Sequence, residues 1–212
     1  MSAPQIIPAT ETRVETRAGN SRFIATIAPA FSVEEARAFI GRVKAEFFDA
    51  THNVPAYVIG HGQSTIAHCH DDGEPSGTAG RPMLAVLQGS GLGDVVVVVT
   101  RYFGGAKLGT GGLVRAYGDA VREALAVLPR AEKVATVAAM AEVPYTLLER
   151  ARQLVEAHGG VMLDESFAAE ITLTARFRSE RYPDFAAALR ELSHGAVEAF
   201  VAETDQTTIM PL

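Results

Sequence analysis

Glycine is concentrated in one part of this chain, and that concentration limits how the segment can fold. Twelve of the 19 glycines fall within the 46 residues from Gly73 to Gly118. Glycine loses more conformational freedom on folding than any other residue, so this density indicates tight turns, positive φ angles or a ligand close to the backbone. The same segment contains Val95–Thr100, five valines and a threonine, which predicts a strand buried on both faces.

Two glycine-rich segments flank this strand, and each is predicted to lead from a strand into a helix. The first is Asp71–Pro82, DDGEPSGTAGRP, and the second is Arg101–Gly118, RYFGGAKLGTGGLVRAYG. A threonine stands where each helix is expected to begin, Thr78 in one and Thr110 in the other, and both are predicted N-caps. Helix starts carry unpaired amides and partial positive charge, so two starts on one surface predict an anion-binding site.

The candidate ligand-binding residues combine loop glycines, hydroxyl groups and basic or aromatic side chains. Arginine and lysine would add charge-assisted hydrogen bonds to a phosphate, and Tyr102, Phe103 and Tyr117 could stack on bases. The alternative is architectural, with the glycines serving only tight loops and close packing of a helix on the valine strand. The candidates are Ser76, Gly77, Thr78, Arg81, Arg101, Tyr102, Lys107, Gly109, Thr110, Gly111, Gly112 and Arg115.

Three carboxylates, Asp71, Asp72 and Glu74, open the first glycine-rich segment. They could hold Mg²⁺ or Ca²⁺, cap the next helix or pair with nearby arginines, and their spacing does not decide among these roles. They are also the candidate catalytic residues of an alternative function, an enzyme acting on a phosphorylated or anionic small molecule. We expect no structural zinc, since six histidines and one cysteine give no complete set of ligands at familiar spacing. No other metal and no cofactor are expected.

Charge is distributed unevenly along the chain. Residues 1–133 hold 13 basic and 13 acidic residues, whereas residues 134–212 hold 6 and 12, so the whole net charge of −6 lies in the second part. A uniformly basic nucleic-acid surface is therefore absent from the sequence, and any RNA contact has to be local. The single cysteine, the short apolar runs and the lack of a signal-peptide pattern predict a cytoplasmic protein without a membrane partner.

Two domains are predicted, over residues 1–131 and 134–212, with the boundary at Pro129–Lys133. Beyond the boundary, hydrophobic periodicity predicts strand, helix, strand, strand, helix and strand in about 80 residues. That order is typical of a ferredoxin-like sandwich, in which two helices lie on one face of an antiparallel sheet. The expected fold class is therefore α+β with two domains.

Both glycine-rich segments resemble the signature of the YigZ/IMPACT family. The match includes Ala50–Asn53 and the pair Ala56 and Tyr57, and it covers residues from about 13 to 125. The resemblance implies an N-terminal α/β domain of the kind found in ribosomal proteins and elongation factor G, followed by a small ferredoxin-like domain. It also implies a role in translation or its control. The favoured function is a non-enzymatic binding protein that contacts RNA, the ribosome or a translation factor through a glycine-rich anion-binding surface, with the oligomeric state left open.

Overall fold

The computed structural model describes residues 5–62 and 64–211, and these residues form two compact units. The first unit comprises the residues up to Glu132 together with Pro211, and the second covers Lys133–Met210. The predicted two-domain α+β class is confirmed. Within the described ranges, none of the helices has the length and hydropathy that crossing a lipid bilayer requires.

The first unit is built on an antiparallel sheet with the strand order β2-β3-β6-β4-β5. The valine run lies in its central strand, where Val95–Val99 are all buried as predicted. Because β4 is antiparallel to both β5 and β6, the latter two strands run in the same direction and end at the same edge. The strands of this unit are β1 (Gln5–Pro8), β2 (Thr12–Ala18), β3 (Ser21–Pro29), β4 (His52–Ile59), β5 (Ile66–Cys69) and β6 (Val95–Tyr102).

Three helices of the first unit cover both faces of this sheet. They are α1 (Val33–Glu46), α2 (Gly80–Gly89) and α3 (Gly109–Val127). Ser32 caps α1, because its Oγ accepts a hydrogen bond from the Glu35 amide at 3.0 Å. Helix α1 packs on one face of the sheet, against Val96 among others, whereas α2 and α3 pack on the opposite face, where Val95 and Val97 point. Alternate side chains of β6 therefore serve two separate cores.

The second unit has the predicted order of strands and helices. Strands β8, β9 and β7 are neighbours in an antiparallel sheet, and β10 also pairs with β7. Alternate residues of β9, from Ile171 to Phe177, are buried and pack with α4 and α5 in one core. The elements are β7 (Arg130–Val143), a 3₁₀ turn (Tyr145–Leu147), α4 (Leu148–Ala157), β8 (Val161–Phe167), β9 (Ile171–Arg178), α5 (Tyr182–Leu192) and β10 (Phe200–Pro211).

Candidate functional site

The two glycine-rich segments meet at the sheet edge where β5 and β6 end. Strand β5 leads through residues 70–79 into α2, and β6 leads through residues 103–108 into α3. A cleft of about 340 Å³ lies where these connections meet. Its lining residues are Thr51, His52, Glu74, Pro75, Arg101, Phe103, Lys107, Leu108, Gly109, Thr110 and Leu113.

A buried ion pair is part of the lining of this cleft. Nη1 of Arg101 donates to Oε1 of Glu74 at 2.6 Å, and the hydroxyl of Tyr117 donates to the same oxygen at 2.8 Å. Burial, and then the hydrogen bond to Glu74, raise the pKa of Tyr117 far above its usual value, so this phenol stays protonated and donates. The two donors hold the Glu74 carboxylate in one orientation.

Arg101 is almost fully buried, with 5% of its surface exposed, and several neighbouring side chains hold its guanidinium in place. Its Nη2 donates to Oγ of Ser21 at 3.3 Å, and its Cζ lies 5.5 Å from the ring centroids of both Phe23 and Phe103. Its Nε is buried and has no hydrogen-bond partner among the described residues. Unpaired buried donors are rare in folded proteins, so this one marks the site as unusual.

The start of α2 is occupied by Asp71 rather than by a threonine. Oδ2 of Asp71 accepts from the amide of Gly77 at 2.7 Å, and Oδ1 accepts from the amides of Ala79 at 3.1 Å and Gly80 at 2.8 Å. The prediction that Thr78 caps this helix is wrong, because its hydroxyl donates to the Pro75 carbonyl at 2.6 Å. These amides are therefore not available to an external anion.

The start of α3 carries no comparable cap. Its N-cap residue is Leu108, and no side chain of the described residues accepts from the first amides of the helix. The prediction that Thr110 caps this helix is wrong, because the helix already begins at Gly109. Lys107 is exposed and lines the cleft immediately before this helix start. Free amides and an ammonium group therefore border the cleft on the α3 side.

Asp71 should make the stability of the protein depend on pH in the acid range. Burial raises the pKa of Asp71, but the three amide hydrogen bonds lower it by more, so the pKa lies below its usual value. A lowered carboxyl pKa contributes stability above the unfolded-state value, about 3.9, and that contribution is lost as the pH falls through the folded-state pKa. We expect the free energy of unfolding to fall less for Asp71→Asn than for the parent when the pH is lowered through the acid range. Urea unfolding at two acid pH values measures this fall for each protein. Equal losses would contradict this role.

A second carboxylate, Asp72, holds the first glycine-rich segment to its neighbours. Its Oδ1 accepts from Nζ of Lys44 at 2.5 Å, and its Oδ2 accepts from the amide of Asn53 at 2.7 Å. Burial raises the pKa of Asp72, whereas Lys44 and the Asn53 amide lower it by more, so the group is ionised. Among residues 5–62 and 64–211, no group of three or more His, Cys, Asp and Glu side chains is placed to hold a metal ion.

Comparison with known proteins assigns the chain to a family. Residues 19–125 match the Impact N-terminal domain, and residues 142–196 match a domain of unknown function, DUF1949. The chain is 38% identical to the IMPACT family member YigZ of Escherichia coli over 199 residues, which are 93% of this chain and 98% of that protein. This chain belongs to the IMPACT family. The member YvyE of Bacillus subtilis is 54% identical over 105 residues, 50% of this chain and 48% of YvyE.

One solved structure supports the fold of this chain. A crystal structure of a hypothetical protein is 36% identical, covers 96% of this chain and 99% of its own, and superimposes with a TM-score of 0.62. The two-domain translational regulator Yih1 is 26% identical over 57% of this chain and 46% of its own, with a TM-score of 0.36. The first structure supports the fold, whereas the similarity to Yih1 is too low to carry an argument.

Four of the predicted ligand-binding residues of this IMPACT family member line the cleft: Arg101, Lys107, Gly109 and Thr110. Arg115 lies instead in a groove of about 720 Å³ between α2 and α3, which Pro82 and Arg122 also line. The remaining candidates lie outside the cleft lining, in the loop before α2, at the starts of α2 and α3 or at the end of β6: Ser76, Gly77, Thr78, Arg81, Gly111, Gly112 and Tyr102.

Two expectations for individual side chains need correction. Arg101 does not present a free guanidinium to a phosphate, because Glu74 and Ser21 take both of its terminal nitrogens. Tyr117 cannot stack on a base, because it is fully buried against Phe23, with ring centroids 5.2 Å apart. Phe103 remains 45% exposed beside the cleft and keeps that capacity.

His52 and Ser21 are site residues that the sequence-based prediction missed. Nδ1 of His52 lies 2.8 Å from the Asp72 carbonyl, and its Nε2 lies 3.8 Å from Oε1 of Glu74. The motif Ala50–Asn53 contains this histidine, so its place in the family signature was an available signal. No local pattern marks Ser21, which lies 80 residues from Arg101 in the chain and reaches it only through the β3–β6 pairing.

Proposed function

We propose that this IMPACT family member is a non-enzymatic binding protein of translation or its control, and that its cleft holds a phosphate group of an RNA. The observation that carries the proposal is the start of α3. This 19-residue helix has no side-chain cap, and it begins at the cleft beside the exposed Lys107. Free helix amides, the partial positive charge of a helix start and a lysine are the usual components of a phosphate site.

The charge balance inside the cleft supports an anionic occupant. Glu74 is the one carboxylate among the lining residues, and its charge is compensated by Arg101 at 2.6 Å. Lys107 and the start of α3 therefore set the sign of the local potential, which is positive. Such a local site suits the first part of the chain, where acidic and basic residues balance overall.

An exposed aromatic ring beside the phosphate site favours RNA over a simple inorganic anion. Phe103 lines the cleft, and Arg101 contacts its ring, which holds the aromatic side chain in place. Bases of single-stranded RNA stack on such rings with little sequence preference. Family membership supports the link to translation, because the resemblance described above implies that role. The ribosome or a translation factor would meet the protein at this same surface.

The enzymatic alternative has no comparable observation in its favour. A general base works best with a pKa near the working pH, but Asp71 and Asp72 both have pKa values below their usual range. Both carboxylates are engaged in contacts with backbone amides, and Asp72 also binds Lys44. Glu74 is held by Arg101 and Tyr117.

Lys107→Ala should weaken binding of a short single-stranded RNA about tenfold, because it removes a charge-assisted contact to phosphate. The slope of log affinity against log salt should also fall by about 0.7, the value for one phosphate contact on a single strand. Fluorescence anisotropy at several salt concentrations measures both quantities. The matched control is Arg37→Ala, which removes one positive charge from the exposed surface of α1 on the other face of the sheet.

Two outcomes would contradict the proposed function. One is a parent protein that does not bind RNA at millimolar concentration. The other is an equal loss of affinity in Lys107→Ala and Arg37→Ala, which would mean that only the general charge of the protein matters and that no RNA phosphate binds at α3.

A further inference from the structure

The two oxygens of the Glu74 carboxylate differ in their surroundings. Oε1 accepts from Arg101 at 2.6 Å and from Tyr117 at 2.8 Å. Oε2 has no hydrogen-bond partner among the described residues, and it is not among their buried polar atoms without a partner, so it reaches the cleft that Glu74 lines. The Glu74 side chain is only 3% exposed. A largely buried carboxylate thus presents one free acceptor to whatever occupies the cleft.

His52 adds a second acceptor beside the Glu74 carboxylate. Its Nδ1 lies 2.8 Å from the Asp72 carbonyl, which can only accept, so Nδ1 carries the hydrogen. In the neutral ring Nε2 is then an acceptor, and it lies 3.8 Å from Oε1 of Glu74, which is itself an acceptor. The two groups do not satisfy each other. Both line the cleft and leave acceptor capacity for a donor on the ligand.

The electrostatics favour a neutral donor over a cationic one. Arg101 already compensates the charge of Glu74, and Lys107 and the start of α3 make the cleft positive, so an ammonium group would be repelled. A ligand that suits the cleft therefore combines an anionic group with a neutral donor nearby, and a hydroxyl is one such donor. In an RNA chain, the one free hydroxyl of each internal nucleotide is the 2′-hydroxyl, and it lies next to the 3′-phosphate.

We propose that Oε2 of Glu74, with His52 lining the cleft beside it, accepts the hydrogen bond donated by the ribose 2′-hydroxyl next to the phosphate held at the start of α3, so that the cleft distinguishes RNA from DNA. This inference rests on the proposed function and adds to it the part of the nucleotide that is recognised. The 2′-hydroxyl is the group by which a protein tells the two nucleic acids apart at a single site. The donor ends of Arg101 and Tyr117 keep the acceptor oriented.

The test compares the binding of oligouridylate with that of the matching deoxyuridine and 2′-fluoro oligonucleotides to the full chain. The 2′-fluoro group resembles the hydroxyl in size but cannot donate a hydrogen bond. We expect the parent to bind the RNA at least about tenfold more tightly than either analogue, the range of a hydrogen bond to a charged group. Equal affinity for all three overturns the 2′-hydroxyl inference and leaves the proposed function standing. Absence of binding to any of them overturns both.

A variant assigns the preference to Glu74. In Glu74→Gln, the donors Arg101 and Tyr117 draw the amide oxygen inward, so an NH₂ group takes the place of Oε2 toward the cleft. The preference for RNA over the analogues should then fall to less than about threefold. The ratio of affinities is the readout, because loss of the Glu74 charge changes the affinity for every oligonucleotide alike. The matched control is Glu34→Gln on the exposed surface of α1. If Glu74→Gln keeps the preference for RNA, Glu74 is not the acceptor of the 2′-hydroxyl. Should this variant fold poorly, the comparison of RNA with the 2′-fluoro oligonucleotide on the parent still tests the 2′-hydroxyl inference.

Discussion

Arg101→Met should lower the free energy of unfolding by about 3–5 kcal/mol. The substitution removes the partner of Glu74, whose side chain is 3% exposed, and so leaves a carboxylate buried without compensation. Methionine keeps the apolar contacts with Phe23 and Phe103, so the loss reports the charge rather than the volume. Urea denaturation near neutral pH, followed by circular dichroism, measures the change.

Two further variants separate this effect from ordinary loss of a salt bridge. Arg13→Met breaks a bidentate ion pair with Glu46 at the surface, with contacts of 2.5 and 2.8 Å. This variant should lower the free energy of unfolding by about 1 kcal/mol or less. The double variant Arg101→Met and Glu74→Met removes both buried charges and should be more stable than Arg101→Met alone. A single-variant cost below about 1 kcal/mol, or an additive double variant, would mean that the buried pair does not act as a unit.

Periodicity was sufficient to predict the elements whose burial follows the local pattern. Five consecutive valines indicated a strand with both faces covered, and α1 on one side with α2 and α3 on the other explain why. Hydrophobic periodicity likewise predicted a strand where β9 lies, and in the structure its alternate residues from Ile171 to Phe177 are buried against the helices of the second unit. In these segments burial follows the period of the strand or helix, so the local sequence is enough to predict which residues are buried.

Capping and pairing with arginine were both offered as roles for the three carboxylates, but the sequence could not assign them because they join residues that are distant in the chain. Asp71 reaches amides six to nine residues ahead, which no capping pattern anticipates, and Glu74 meets Arg101 across 27 residues. One signal was available. Arg101 continues the row of Val97 and Val99 on β6, the row that faces α2 and α3, so a charged residue there needed a buried partner. The neighbouring carboxylates supplied the candidates, and the fold selected Glu74.

The glycines of the second segment are required for different reasons, and a pair of alanine substitutions should separate them. At Gly104 an added Cβ would lie 2.0 Å from the carbonyl oxygen and 2.1 Å from the carbonyl carbon of Asn20, in the turn between β2 and β3. These are backbone atoms, which cannot move away from the new Cβ as easily as the flexible end of a side chain can. At Gly111 the nearest atom to an added Cβ is Nη1 of Arg115, 4.0 Å away, at the flexible end of a side chain.

Gly104→Ala should therefore destabilise the protein by at least about 2–3 kcal/mol, since the loop or the turn must shift. Gly111→Ala should leave stability unchanged or raise it by up to about 1 kcal/mol, because alanine is the better helix former. Thermal and urea unfolding of both variants measure these changes, and a Gly104→Ala protein as stable as the parent would refute the close approach. If Gly111→Ala is as stable as the parent yet binds the short RNA less tightly, the fold does not require that glycine. The reason for the glycine is then the approach of a ligand to the start of α3.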